Sequence, residues 1–188
     1  MQVRAAAPPY SCRVGELDGW KHCPVCATPV EPEDGRVECL ECGFVTYAHS
    51  MPTASAVVGD DEGRVLLSKR AHDPGAGKWD LPGGFLEEGE HPLDCVAREL
   101  REEAGIGLTD ERLLGVWMDR YEYKRRVVAT LNIYYSARIG EGTPEPADDV
   151  AELRWFAPDD VPAGELAFGH IEDVLSAWRA DGARAATA

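Results

Sequence analysis

Two groups of side chains have types and spacings that could do chemistry. In "RELREEAGI", Glu99, Glu102 and Glu103 fall at i, i+3 and i+4, so on a helix the three carboxylates share one face. Each like-charge pair at that spacing costs about 0.2–0.5 kcal/mol. A hard divalent cation such as Mg2+ takes carboxylate oxygens and removes the repulsion. The commoner fate of such a triplet is a solvated acidic face. In "CPVC" and "CLEC", Cys23, Cys26, Cys39 and Cys42 form two C-x-x-C pairs twelve residues apart. Four thiolates at that spacing close a tetrahedral Zn2+ site, and a full set of protein ligands makes the site structural. Redox disulfides are the alternative, but no thioredoxin-like context supports them. Cys12 and Cys95 stand apart as plain thiols, Cys95 half-buried on a helix.

The elements that must position these groups follow from the pattern. Pro92 suits a first helical turn and Gly105 a helix stop. Between them Leu93, Val96, Ala97, Leu100 and Ala104 recur at helical spacing, a stripe turned away from the glutamates. "TASAVVGDDEGRVLLSKR" predicts two strands around a turn, with Val57, Val58, Val65, Leu66 and Leu67 as core. Residues 71–91 are a Gly- and Pro-rich loop, broken by a short strand at Leu81 to Leu86. "LLGVWMDRYEY" and "RVVATLNIYYSARI" are rich in β-branched and aromatic residues and predict strands. "AELRWFAP" predicts a last strand and "IEDVLSAWRAD" a closing helix. The expected organisation is a flexible lead-in over 1–19, a zinc ribbon over 20–49, a catalytic domain over 50–181 and a tail over 182–188.

Charge narrows the partners. The 188-residue chain carries a net charge of -15, which disfavours a nucleic acid or an anionic membrane. No run of eighteen apolar residues occurs, and "MQVRAAAPPY" lacks the apolar stretch of a secretory signal. The paired cysteines fit a reducing cytoplasm. Residues 21–49 balance to -3, the wrong sign for phosphate, so the ribbon is expected to pack on the catalytic domain or to build a homodimer.

The segment from Gly84 to Ile106 holds more than the triplet. Gly84 is followed after five residues by Glu90 and after seven more by Arg98-Glu99; then come Leu100, Glu102-Glu103, Gly105 and Ile106. This pattern resembles the box of the Nudix hydrolases at all nine fixed positions. With the ribbon and "GKWDLPGGF" it is similar, over roughly residues 20–160, to the zinc-ribbon ADP-ribose and NADH pyrophosphatase group. The resemblance implies an α/β/α sandwich with a mixed sheet. It also implies Mg2+- or Mn2+-dependent hydrolysis of a nucleoside diphosphate linked to a group X: ADP-ribose-like, NADH, FAD or a nucleotide sugar. It carries the metal ligands to Glu99, Glu102 and Glu103, with a backbone carbonyl from Gly83 or Gly84. Glu99 serves as or positions the base, Arg98 orients Glu99, Glu90 steadies the loop, and Gly105 caps the helix. A later acid often assists; of Glu145, Asp148, Asp149 and Glu152, the resemblance favours Glu152 and Asp149. The group's "SQPWPFPxS"-like signature after the box is missing here, which moves ADP-ribose-like compounds ahead of NADH.

An acidic chain needs cations to hold a pyrophosphate, which agrees with that reading. A base could stack on Trp117, Tyr121 or Phe168, although core packing is the commoner role of each. The expected protein is an enzyme acting on a small nucleotide. Two other readings use the same box: a pyrophosphohydrolase that clears oxidised triphosphates, and a non-catalytic ADP-ribose or NAD sensor. An intact box and no basic DNA-binding module rank the sensor behind.

Overall fold

A computed structural model describes residues 16–123 and 126–185, with side-chain detail outside 121–126 and 183–185. The chain divides into two compact units, 1–49 and 50–188.

The first unit is small and built twice over from one turn. In each C-x-x-C pair the first cysteine's carbonyl accepts an N–H four residues on, from Ala27 and from Gly43, at 2.9 Å in both. Its own N–H donates to Thr28 or Phe44 at 2.8 Å in both. Ala27 and Gly43 have φ of 62° and 74°, the left-handed conformation that lets the chain turn back under the sulfurs. Strands β1 (Arg36–Glu38) and β2 (Val45–Tyr47) pair antiparallel beside the second turn. Val37, Val30 and Leu17 are buried between the cysteines, so ordered packing begins before residue 20, inside the expected lead-in.

The second unit is a seven-stranded mixed sheet with a helix on each face. Strands β3 (Met51–Gly59), β4 (Val65–Arg70), β5 (Trp79–Asp80), β6 (Gly83–Phe85), β7 (Gly107–Tyr123), β8 (Arg126–Glu141) and β9 (Val150–Phe156) enclose helices α1 (Pro92–Ala104) and α2 (His170–Ala185). The order is β5-β4-β3-β8-β7, with β6 on β3 and β9 on β4. The β3–β8 pairing is parallel and the others are antiparallel.

Alternation along β3 and β4 decides which helix covers which face. Val57, Val65 and Leu67 join Ile171, Val174 and Leu175 of α2. Ala54, Ala56, Val58 and Leu66 join Val96, Leu100 and Ala104 of α1. Each such Leu or Val side chain stabilises the fold by about 1.5–3 kcal/mol on burial. The expected stripe of α1 shifts: Leu93 lies at the surface and Cys95 is fully buried, reaching the Gly84 and Phe85 carbonyls instead. The expected Leu81 to Leu86 strand shortens to β6, with β5 just before it and Pro82, which lacks the N–H a ladder needs, in the gap between the two. β7 starts at Gly107, well before "LLGVWMDRYEY"; register shifts between Thr109 and Arg112 and between Leu113 and Gly115 break the alternation that would have marked it. α2 runs to Ala185, past the expected end of the domain.

Candidate active site

Helix α1 is fixed at both ends. His91 Nδ1 accepts the Leu93 N–H at 3.2 Å, Pro92 needs no donor, and Gly105 at φ 67° turns the chain away. This leaves Glu99, Glu102 and Glu103 on the turns that face β6. The three differ sharply in exposure. Glu103 is 8% exposed, Glu99 16% at the side chain and Glu102 52%.

Arg98 organises the open side. Its Nε and Nη2 form a fork on Glu90 at 2.9 and 3.0 Å, its Nη1 reaches Glu99 at 2.8 Å and Glu102 at 3.2 Å, and Nη2 also meets the Phe85 carbonyl. Those bonds hold the Glu90 carboxyl down to about 2. Glu90 also accepts the Glu87 N–H at 2.9 Å, so it ties the loop to the helix. Glu99 is pushed up by burial and pulled back by Arg98.

Glu103 is the most strained electrostatically. Its Oε2 accepts the Gly83 N–H at 3.0 Å, and among the described residues Oε1 has no protein donor. Burial, with Glu99, Asp149 and Asp80 nearby, pushes its carboxyl up to about 9. A buried carboxylate with one neutral donor lacks a counter-charge. An all-oxygen donor set with that deficit fits a hard divalent cation.

The glycine pair fits closely against these carboxylates. A Cβ on Gly84 would sit 2.3 Å from Glu99 Oε1, while one on Gly83, at φ 143°, would strike the Ala54 carbonyl at 2.4 Å. Glu152 is engaged elsewhere: it pairs with Lys69 at 3.5 Å and with Arg154, and these bonds hold its carboxyl low. The charge of Asp149, by contrast, is felt by both Glu99 and Glu103.

Beside the glycines lies a cleft of roughly 540 Å³ of empty space, part of it open to solvent. Phe168 lines it, with the Arg70 guanidinium 5.5 Å above its ring. Trp117 does not line it; it packs edge-on against Tyr134 at 5.6 Å, beside the α2 core. The Tyr121 side chain lies outside the described residues. Sequence reasoning missed three features here. Asp80, next to "LPGG", is buried and tied to Arg70 at 2.9 Å. Asn132 bridges Thr53, Thr130 and the Trp117 carbonyl. A chain of hydrogen bonds links Tyr134, His170 and Asp119. The one available signal was that Asp119 shares a strand face with Trp117.

In the first unit the four Sγ atoms lie within 4.8 Å of one another, with Cys23–Cys42 at 3.6 Å and Cys26–Cys39 at 3.5 Å. Tetrahedral Zn–S bonds of about 2.3 Å place sulfurs ~3.8 Å apart, so the cluster fits zinc. Cys39→Ser is expected to remove one metal equivalent per chain and to unfold residues 16–48, because metal binding and folding of such a unit are one event. Metal content by mass spectrometry and exchange protection of the Val37 amide check this.

The site and fold have a family. The NUDIX domain model matches residues 49–175, and the chain belongs to that family. An ADP-ribose pyrophosphatase from Methanocaldococcus jannaschii is 32% identical over 136 residues, 71% of this chain and 77% of that protein. A NAD-capped RNA hydrolase from Stutzerimonas stutzeri is 26% identical over 157 residues, 82% of this chain but only 54% of that protein. The chain thus spans little more than half the length of that relative. Among solved structures, a NUDIX hydrolase from Nitrosomonas europaea aligns with a TM-score of 0.67 at 29% identity, covering 83% of this chain and 88% of that one. The family and these relatives make the protein a Nudix pyrophosphohydrolase.

Proposed function

We propose that the protein is a Mg2+-dependent hydrolase of nucleoside diphosphates linked to a second group, with ADP-ribose-like compounds as the leading class. The observation that supports this most is the buried Glu103, a carboxylate without a counter-charge beside Glu99 and the glycine pair. Glu99, Glu102 and Glu103 are the proposed ligands, with a carbonyl of Gly83 or Gly84. Bound Mg2+ would supply charge neutralisation of the phosphates and a more acidic attacking water. The chain's own residues do the rest. The Gly83 N–H fixes Glu103, and Arg98 fixes Glu99 through a charge-assisted bond. Glu99, raised by burial, is the proposed base that takes the water's proton. Asp149 is the better placed late acid, and Glu152 steadies β4 against β9 through Lys69. Phe168, which lines the cleft, is the proposed aromatic contact for the base. The proposed ion of the ribbon's cluster is a structural zinc, and the paired C-x-x-C thiols support a reducing cytoplasm as the proposed location.

The similarity to a NAD-capped RNA hydrolase favours one second reading, a capped dinucleotide at an RNA 5′ end. Net charge of -15 and a ribbon at -3 oppose a long RNA. Purified protein with Mg2+ should be offered ADP-ribose, NADH, FAD, nucleotide sugars, NAD-capped RNA and oxidised triphosphates. The highest kcat/KM is expected for a small linked diphosphate; preference for triphosphates or turnover of none overturns the reading.

A further inference from the structure

We propose that the Asp119 carboxylate, clamped by His170 in a Tyr134–His170–Asp119 hydrogen-bond chain, determines specificity: it accepts an N–H or O–H from the substrate's base or ribose. This rests on the reading above, because it assumes the cleft takes the neutral part of a linked diphosphate.

The chain joins three elements. Asp119 stands on β7 opposite Thr130 of β8, Tyr134 lies further along β8, and His170 opens α2. His170 Nδ1 donates to Asp119 Oδ2 at 2.6 Å, and Tyr134 Oη meets His170 Nε2 at 2.8 Å. A neutral imidazole that gives its Nδ1–H to Asp119 has Nε2 as an acceptor, so the Tyr134 hydroxyl donates to it. Both ring nitrogens of His170 are therefore committed within the protein. The ring is held further by Phe168, stacked at 6.1 Å and 23°.

Asp119 is differently placed. Oδ2 accepts His170 and Oδ1 accepts the Arg120 N–H at 2.7 Å. A carboxylate has about four acceptor positions, so about two remain. The side chain is 27% exposed and lines the cleft. The polar side chains beside it are bonded elsewhere: Thr53 donates to Asn132, Asn132 to Thr130 and the Trp117 carbonyl, and Arg70 to Asp80 and the Pro74 carbonyl. With Asp80 as the other acid of the wall, the cleft offers fixed acceptors. At the Asp119 carboxylate an exocyclic amine or a ribose hydroxyl is favoured over a phosphate. Asp119 needs three-point rigidity for that task, since a swinging carboxylate would reach many ligand donors equally.

The full chain with Mg2+ tests this on ADP-ribose against three analogues: the purine lacking the 6-amino group, and the 2′-deoxy and 3′-deoxy adenosine forms. One analogue is expected to lose about tenfold or more in kcat/KM through a raised KM, and which one identifies the donor. Asp119→Asn should shrink that ratio to within about twofold. His170→Ala should shrink it too, while His170→Gln, whose amide can still donate to Asp119, restores part of it. Analogues within twofold of ADP-ribose in the unaltered protein, or an Asp119→Asn variant that keeps the full ratio, overturn the proposal. If no linked diphosphate is hydrolysed, the functional reading has failed separately. The same ratios then read as Kd by calorimetry decide the role of Asp119.

Discussion

Changing Glu102 and Glu103 together to Gln is expected to lower kcat/KM by at least about a thousandfold at saturating Mg2+, with the fold retained. Ligands that hold the cations neutralising a developing phosphate charge supply several kcal/mol, and each 1.36 kcal/mol is tenfold in rate. The fold should survive for a reason that can be given a sign. Burial pushes the Glu103 carboxyl from 4.5 up to about 9 in the folded, metal-free protein. The unfolded chain loses that proton near its ordinary value, so between roughly pH 4.5 and 9 the folded state binds more protons. Metal-free stability therefore falls as pH rises through that window. Gln at 103 keeps the Gly83 contact geometry and never ionises. The variant should be more stable than the unaltered protein at pH 8 without metal, by ~1 kcal/mol or more, which is about 2–4 °C in Tm. Activity that persists, or a Tm that drops, contradicts the assignment.

Gly84→Ala should be the most damaging small change near the site, and for a reason distinct from stability. The backbone at Gly84 is not in the left-handed region, so Ala strains nothing there. The three atoms nearest to the added Cβ all belong to the Glu99 carboxylate, at 2.3–2.8 Å. A carboxylate at the end of a flexible side chain can swing away, which takes it off Arg98 and out of the metal set. A loss of about a hundredfold in kcat is expected with Tm within a few degrees. Gly83→Ala behaves differently. Its Cβ strikes the Ala54 carbonyl and Ser55 Cα at φ 143°, so the β3–β6 pairing itself must give, and Tm should fall by several degrees. Equal effects at the two positions would mean the glycines serve the fold alone.

How much of this was legible in the sequence depends on distance along the chain. The α1 carboxylates, Arg98–Glu99, the Gly105 cap and the cysteine turns are local, and their spacing is their geometry. The sheet strands at Val57–Val58 and Val65–Leu67 were legible because burial on both faces leaves a continuous apolar run. The start of β7 was not, because three register shifts erase the period. Nor was the partnership of Asp119 with His170, 51 residues apart, since it exists only where α2 returns to the sheet. Asp149 and Glu152 looked alike in "DDVAELRWF"; the β4–β9 register, which sets Lys69 opposite Glu152, separates them.

The central claim is that Glu103 waits, protonated, for a divalent cation. Titrating Mg2+ into the metal-free protein at pH 7.5, in buffers of different ionisation enthalpy, measures uptake and proton release together. Binding should release close to one proton per chain, tighten as pH rises toward about 9, and lose that proton in Glu103→Gln. No Mg2+ uptake, with or without ADP-ribose present, or uptake that releases no proton, contradicts it.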